Sequence, residues 1–280
     1  MTQDKTSQKP IALFKYGGNA MVDEALKEEV LAALCSMRDQ GYHVVIAHGG
    51  GPFIQKALDQ AGIQTDFVYG HRRTTPEAMR LVETALKGEV NSNLVGIINR
   101  LGYHAVGLSG KDGRTATAIK RYHREENEQG VTEVDIGQVG EVSRVDTRLL
   151  HLLLQEGYIP VLACVAQDEQ GLDYNINADL FAGSLAGALK AQVFGVLTDV
   201  DGLMADINHP DSLIQEVRLE EISRYKRAGV IQGGMLPKVD ACRMAIESGA
   251  AQAFILNGSK PTQIPKQIRG EASTGTLFKV

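Results

Sequence analysis

The chain has 280 residues, 43% of them hydrophobic, enough for one large α/β domain or two modest ones with a sizeable core. A net charge of -5 without a basic stripe argues against broad nucleic-acid binding, and no apolar run is long enough to span a bilayer. Cys35, Cys164 and Cys242 are scattered, with no CxxC pattern, and the polar first ten residues lack the apolar core of a signal peptide, so the chain reads as a cytoplasmic protein with reduced, structural thiols.

Ile11–Phe14 is a short apolar strand that runs into the glycine turn Lys15-Tyr16-Gly17-Gly18-Asn19. From Glu24 to Gln40, residues Leu26, Val30, Leu31, Leu34 and Met37 fall on one helical face, and Gly41 ends the helix. Tyr42–Ala47 is the next strand. It leads into His48-Gly49-Gly50-Gly51-Pro52, after which Phe53, Ala57 and Leu58 repeat at helical spacing. Such a strand, glycine turn and helix start offers backbone N–H groups and partial positive charge to a carboxylate or phosphate. It equally serves as a plain tight turn in any α/β protein.

Gly62–Thr75 reads as a loop carrying Arg72 and Arg73. Pro76 starts a helix, and Glu77–Arg100 reads as two helices broken near Gly88. His104–Leu108 is a strand ending in Ser109-Gly110-Lys111-Asp112-Gly113. Thr117–Arg121 and Val131–Val145 read as short paired strands with Gly130, Gly137 and Gly140 as turn points. Asp146 caps a helix containing Leu149, Leu150, Leu153 and Leu154, which Gly157 stops. Tyr158–Val165 is a strand and Gln167–Leu172 a turn. Asn175-Ile176-Asn177-Ala178-Asp179 precedes a small-residue helix, Leu180–Lys190. Gln192–Leu197 is a strand ending in Thr198-Asp199-Val200-Asp201-Gly202, and Glu220–Ala228 a helix. Gly233-Gly234-Met235-Leu236-Pro237-Lys238 opens a helix ending near Gly249. Ala251–Leu256 and Thr276–Val280 are the last strands.

Strands alternating with helices imply a mostly parallel sheet with helices on both faces. The glycine turns gather at the carboxyl ends of strands, the edge where open α/β sheets bind ligands. No GxGxxG follows a strand and no GxxxxGK[ST] occurs, which disfavours a dinucleotide fold and a P-loop enzyme. Lys15 and Lys238 lie in glycine turns far apart in the chain. Brought to one site, they can flank a transferring phosphoryl group, a reaction that depends on positioning and charge neutralisation. Asp179 is either a carboxylate favoured by a helix N-terminus or an anchor for those lysines. Asn175 and Asn177 suit turns. Arg72 can clamp a carboxylate or sit solvated in its loop.

In order, the chain carries Lys15-Tyr16-Gly17-Gly18-Asn19-Ala20-Met21, His48-Gly49-Gly50-Gly51-Pro52, Gly70-His71-Arg72-Arg73-Thr74, Gly107-Leu108-Ser109-Gly110-Lys111-Asp112-Gly113, Asn175-Ile176-Asn177-Ala178-Asp179 and Gly233-Gly234-Met235-Leu236-Pro237-Lys238. With this ordered set the sequence resembles the amino-acid kinase superfamily and, within it, the N-acetylglutamate kinases, from about Ile11 to the last strand. The resemblance implies an open αβα sandwich around a mainly parallel sheet. It implies an acceptor-binding and dimerising lobe over 1–188 and an ATP-binding lobe over 189–280. It implies ATP-dependent phosphorylation of the γ-carboxylate of N-acetyl-L-glutamate to an acyl phosphate, a step of arginine biosynthesis.

By that resemblance Lys15 and Lys238 stabilise the transition state and Asp179 orients them. Gly50, Gly51, Arg72, Asn175 and Asn177 hold the small-molecule acceptor, and Gly17 and Gly18 face the phosphates. Thr198, Asp199, Val200, Asp201, Gly202, Leu203, Val230, Ile231 and Gln232 line the nucleotide. A carboxylate acceptor is already ionised at neutral pH, so no general base is needed. None of the seven histidines sits in an obvious base–orienter pair, and His48 reads as packing. Mg²⁺ rides on the phosphates of ATP, without a metal cage of protein ligands.

The acceptor loop His71-Arg72-Arg73 departs from the family's single arginine among apolar neighbours. Arg73 is therefore an alternative to Arg72, and an α-aminoadipate derivative or another carboxylate or carbamate an alternative acceptor. Arginine-inhibited members carry an extra N-terminal helix, whereas Met1–Pro10 is short and polar, which predicts a homodimer without arginine feedback by that route. A nitrogen-signalling protein partner has no support in the sequence. A non-catalytic sensor of the same fold is the competing class, disfavoured because Lys15, Lys238 and Asp179 are all present.

Overall fold

A computed structural model describes residues 9–18, 21–68, 70–127, 130–206, 208–271 and 274–280. Asn19 and Ala20 of the first glycine turn, and the N-terminal stretch through Gln8 that bears on the dimer expectation, lie outside the described residues.

In chain order the first elements are β1 (Ile11–Tyr16), α1 (Glu24–Asp39), β2 (His43–His48), α2 (Gly51–Gln60), β3 (Phe67–Val68), β4 (His71–Arg72), α3 (Pro76–Glu83), α4 (Ser92–Arg100) and β5 (Ala105–Ser109). Next come β6 (Ala116–Asn127), β7 (Gly130–Val145), α5 (Arg148–Gln155), β8 (Ile159–Ala163), β9 (Val165–Gln167), β10 (Asp173–Ile176), α6 (Ala178–Ala188) and β11 (Val193–Thr198). The chain ends with β12 (Glu216–Arg218), α7 (Ile222–Arg227), α8 (Met235–Glu247), β13 (Ala253–Asn257), α9 (Gln263–Ile268) and β14 (Thr276–Lys279).

Eight strands form one sheet in the order β12-β14-β13-β11-β1-β2-β8-β5. Every neighbouring pair is parallel except β13 and β14. Strand β1 is buried at every residue, as a central parallel strand covered on both faces must be. Period-2 alternation divides its side chains between two cores. Leu13 joins Val45, Ala47 and residues of α2, α5, α6 and α8, whereas Ala12 and Phe14 join Val44, Ile46 and residues of α1, α4 and α9. Strands β6, β7, β9 and β10 close into a separate small sheet, and β3 pairs with β4 as a hairpin. Among the described residues no helix is long and apolar enough to cross a membrane, and no group of three or more His, Cys, Asp or Glu is placed to hold a metal ion. The three cysteines are free and buried.

Several local expectations change. Glu77–Arg100 is not broken at Gly88; α3 and α4 are joined by a π-helical stretch, Thr84–Asn91, that takes the glycine inside a widened turn. Within Gly62–Thr75 the hairpin β3–β4 replaces a plain loop, and Tyr158–Val165 divides at Cys164 into β8 and β9. Asp146 is not the cap of α5, which is Thr147; Asp146 Oδ1 instead accepts from the Arg148 N–H at 3.1 Å. The paired strands are longer than expected, and Gly137 and Gly140 lie inside β7 rather than at turns. Each glycine there answers a close approach. The Thr74 N–H donates to Ile136 O and the Gln138 N–H to Thr74 O, so a Cβ at Gly137, where φ is +80°, would lie 2.1 Å from Thr74 O. At Gly140 it would lie 2.7 Å from the Tyr174 Cβ.

Gly137→Ala is therefore expected to destabilise the fold by more than about 1 kcal/mol, through both φ strain and collision. A lowered urea midpoint with an unchanged slope checks it; an unchanged midpoint would mean that Thr74 can retreat at no cost.

Candidate active site

The site grows from the way α6 meets α8. Helix α6 is rich in small residues, and a Cβ on Gly183 would lie 2.7 Å from Ala241 O, one on Gly187 2.4 Å from the Ser248 Cβ. The helices therefore pack almost backbone to backbone, and their first turns lie side by side. Asn177 caps α6, its Oδ1 accepting from the N–H groups of Asp179 at 3.0 Å and Leu180 at 3.2 Å. Asp179 thus lies inside the first turn of α6 rather than before the helix.

Lys15 projects from the carboxyl end of β1 and Lys238 from the first turn of α8. Lys15 Nζ lies 3.0 Å from Asp179 Oδ1, and Lys238 Nζ donates to Asp179 Oδ2 at 3.1 Å. The side chains are 9%, 6% and 18% exposed for Lys15, Asp179 and Lys238. The Lys15 contact is a close ion pair that is poorly aligned for a hydrogen bond at Asp179 Oδ1. Burial alone pushes the Asp179 carboxyl up; Lys15 and then Lys238 outweigh it and hold the group below its usual range. Two ammonium groups share one carboxylate, so the cluster carries a surplus positive charge in a nearly dry place. Charges taken out of water need partners, and this surplus fits an anionic guest.

The glycine turns surround this cluster. The Gly49 N–H donates to Tyr16 O at 3.1 Å, tying the ends of β1 and β2 together. A Cβ at Gly17 would come within 3.0 Å of Lys15 Nζ, and one at Gly49 within 3.1 Å of the Ala178 Cβ, so both glycines leave space that a side chain would fill. Gly50 immediately precedes α2, and Gly18 and Gly51 open onto free space.

Arg72, on β4, is 8% exposed. Its Nη1 donates to Gln55 Oε1 at 2.6 Å and Thr65 Oγ1 at 2.8 Å, and the guanidinium stacks 4.6 Å from the centre of the Phe67 ring. Among the described residues no ion pair to Arg72 is found. Burial pulls its pKa down, and the nearby Asp59 charge only partly offsets that. Arg73 points outward to Asp66, 3.0 Å away, and to Asp135 O. Asn175 Nδ2 donates to Thr74 Oγ1 at 3.2 Å, whose hydroxyl donates to Arg72 O, so Asn175 and Arg72 are coupled through Thr74. Gln55 and Thr65 carry no mark in the sequence, and Thr74 stands there only as the last residue of the Gly70–Thr74 motif; nothing short of these contacts gives the three a role.

On the other side of β1, a cavity of about 420 Å³ is lined by Val200, Gly202 and Leu203 from the turn after β11 and by Val230, Gln232 and Met235 before and at the start of α8. Met204, Ala205, Asp206, Asn208 and Gly229, not singled out in the sequence, complete its wall. Gly202 has φ +147°, and a Cβ there would lie 2.6 Å from Thr276 Oγ1, which accepts from the Leu203 N–H. Ile231 is buried and does not line the cavity. The Thr198 hydroxyl donates to Asp199 at 3.2 Å. Asp201 does not line the cavity; hydrogen bonds from Lys260 and Asn257 hold its carboxyl below the usual range. A larger groove of about 570 Å³ between α2 and the π-helical stretch is lined by none of these polar groups.

The amino acid kinase family matches residues 10–257. An acetylglutamate kinase of Pelotomaculum thermopropionicum is 46% identical over 268 residues, 95% of this chain and 91% of its own length. One of Methanocaldococcus jannaschii is 41% identical over 96% of this chain and 90% of its own length. The solved structure of smu.665 from Streptococcus mutans superposes with a TM-score of 0.77 at 25% identity, over 96% of this chain and 98% of that one. The family match starts before β1 and ends on β13, and so takes in both lysine-bearing turns and the carboxylate between them: the chain belongs to the amino acid kinase family.

Proposed function

We propose that the chain transfers the γ-phosphoryl group of MgATP to the γ-carboxylate of N-acetyl-L-glutamate, giving an acyl phosphate on the route to arginine. The observation that carries this reading is the buried cluster of Lys15, Asp179 and Lys238, with one more positive than negative charge. The acceptor identity draws on relatives 46% and 41% identical that are named acetylglutamate kinases.

Two anions must meet in this reaction. The acceptor oxygen forms a bond to the γ-phosphorus as the bond to the β,γ-bridging oxygen breaks and ADP departs. The acceptor arrives ionised, so no residue has to remove a proton. Lys15 and Lys238 offset the charge on the transferring group, and Asp179 holds both ammonium groups on one spot. Gly17, Gly18, Gly50 and Gly51 offer backbone N–H groups without side chains in the way. Arg72, a buried cation with neutral partners, suits the acceptor α-carboxylate, with Asn175 beside it through Thr74. Asn177 acts through its cap on α6. The cavity beside Val200, Leu203 and Val230 suits the nucleotide base, and Mg²⁺ enters with the phosphates. In this reading residues 1–188 form the acceptor side and 189–280 the nucleotide side. A homodimer belongs to the same proposal, and sedimentation of the purified chain checks it.

Trapping the acyl phosphate with hydroxylamine over a panel of acceptors tests the reading. N-acetyl-L-glutamate is expected to give the highest kcat/KM, above N-acetyl-α-aminoadipate, free glutamate and carbamate. A different best acceptor would overturn the substrate assignment, and no product with any of them would overturn phosphoryl transfer.

A further inference from the structure

A second buried polar cluster lies under the glycine turn, and phosphoryl transfer as described makes no use of it. His48, the last residue of β2, is fully buried. Its Nδ1 lies 2.9 Å from Gly49 O and its Nε2 lies 2.9 Å from Asn91 Nδ2. The Asn91 amide also donates to Val161 O on β8 at 2.8 Å. Leu108 O on β5 also lies 3.4 Å from the amide nitrogen. Carbonyls can only accept, so the amide must turn its NH₂ toward them; one N–H goes to Val161 O, and the second has His48 Nε2, at 2.9 Å, as its nearer acceptor. That nitrogen is the acceptor, so the proton resides on Nδ1 and is donated to Gly49 O. Burial holds the imidazole neutral, its pKa pushed down to about 4 against the bond to Gly49, with Lys87 adding to the effect.

The chain geometry boxes this arrangement in. Asn91 closes the π-helical stretch, and the same stretch presses Leu86 and Val90 onto the next glycine: a Cβ at Gly50 would lie 2.8 Å from Leu86 Cδ2 and 3.2 Å from Val90 Cγ2. On the far side, a Cβ at Gly107 would lie 2.1 Å from Asn91 Oδ1, so only glycine admits the amide there. π-helical turns are rare and gather at functional sites. Here the turn supports one glycine loop from two directions, by packing on Gly50 and by hydrogen bonding through His48 to Gly49.

We infer that Asn91 and His48 form a positioning pair, in which the Asn91 amide fixes the His48 tautomer and His48 in turn fixes the Gly49 carbonyl, so that the Gly50 and Gly51 N–H groups keep their aim at the reacting carboxylate and phosphate. This rests on the phosphoryl-transfer reading for its consequence, but its geometry does not. A loop displaced by a fraction of an ångström loses alignment with the transition state more than affinity for the ground state.

The test has a readout free of activity. Long-range ¹⁵N NMR of the full chain is expected to find His48 protonated on Nδ1 alone at neutral pH. In Asn91→Asp the donor to Nε2 is lost, and His48 is expected to become protonated at Nε2. Kinetics on the same proteins are expected to give a kcat about tenfold lower for Asn91→Asp with an ATP KM changed less than about twofold. As a second pair, His48→Gln keeps a donor and an acceptor and should hold kcat within about threefold, whereas the apolar His48→Leu should lose about tenfold or more. A wild-type His48 protonated on Nε2, or equal kcat for the Gln and Leu variants, would overturn the inference. Wild-type protein that turns over none of the acceptor panel would instead overturn the function proposed above, with the tautomer unaffected.

Discussion

Asp179→Asn is expected to lower kcat by about 10²- to 10³-fold while leaving nucleotide affinity equal or tighter. The substitution keeps shape and removes one negative charge between two ammonium groups that are 9% and 18% exposed. Lys15 and Lys238 then repel each other, and at least one of them leaves the position from which it can meet the migrating phosphoryl group. The site itself becomes more positive, so ATP is not rejected; only the alignment is lost. Titration calorimetry with a non-hydrolysable ATP analogue, beside steady-state rates, separates the two effects. A variant with kcat within about threefold of the parent would remove the orienting role of the carboxylate.

The same variant is expected to be less stable, since removing one partner of a buried ionic cluster strands the others, typically at about 3–5 kcal/mol. The lysines hold the Asp179 carboxyl below its usual range, so the native state favours its ionised form. That contribution is present above the carboxyl's unfolded pKa and is lost as pH falls through the lower folded value. Bound nucleotide should raise the melting temperature of the variant more than that of the parent.

The sheet was legible because its strands are nearly continuous apolar runs and its helices carry period-3.6 stripes. The cluster was legible only as separate hints: Lys15 and Lys238 each stand beside glycines, but no local rule says that they meet on Asp179. That meeting depends on Gly183 and Gly187 letting α6 and α8 approach, a tertiary fact written in the sequence merely as small residues. Glycine is the ambiguous letter. At Gly41 and Gly157 it ends helices, as expected, with positive φ in both places. At Gly88 it sits inside a π-helical turn, and at Gly137 and Gly140 inside a strand, where only Thr74 O and Tyr174 reveal why no side chain is tolerated. Asn91 gave no signal, because an α and a π turn share nearly the same apolar spacing over a single turn, and a lone helical asparagine is ordinary. Three-residue β12 is a strand only because β14 pairs with it.

Arg72→Lys is expected to raise the acceptor KM by about 10²-fold with the ATP KM unchanged. Charge is conserved in this variant, so any loss measures geometry. The guanidinium is held in place by Gln55, Thr65 and the Phe67 ring, and an ammonium cannot keep two hydrogen bonds and a stacked plane while also gripping a carboxylate with two parallel N–H groups. A hydrogen bond to a charged group is worth about 1.5–3 kcal/mol, or about 10- to 150-fold in affinity, which sets the scale. Arg73→Ala is the control, because that side chain is 40% exposed and already engaged with Asp66. Its acceptor KM should stay within about twofold, as for most exposed ion pairs. Were Arg73→Ala to raise the acceptor KM as far as Arg72→Lys does, the α-carboxylate would belong to the outward-facing arginine. The buried one would then be a strut between α2 and the β3–β4 hairpin, with thermal stability rather than KM falling in its lysine variant.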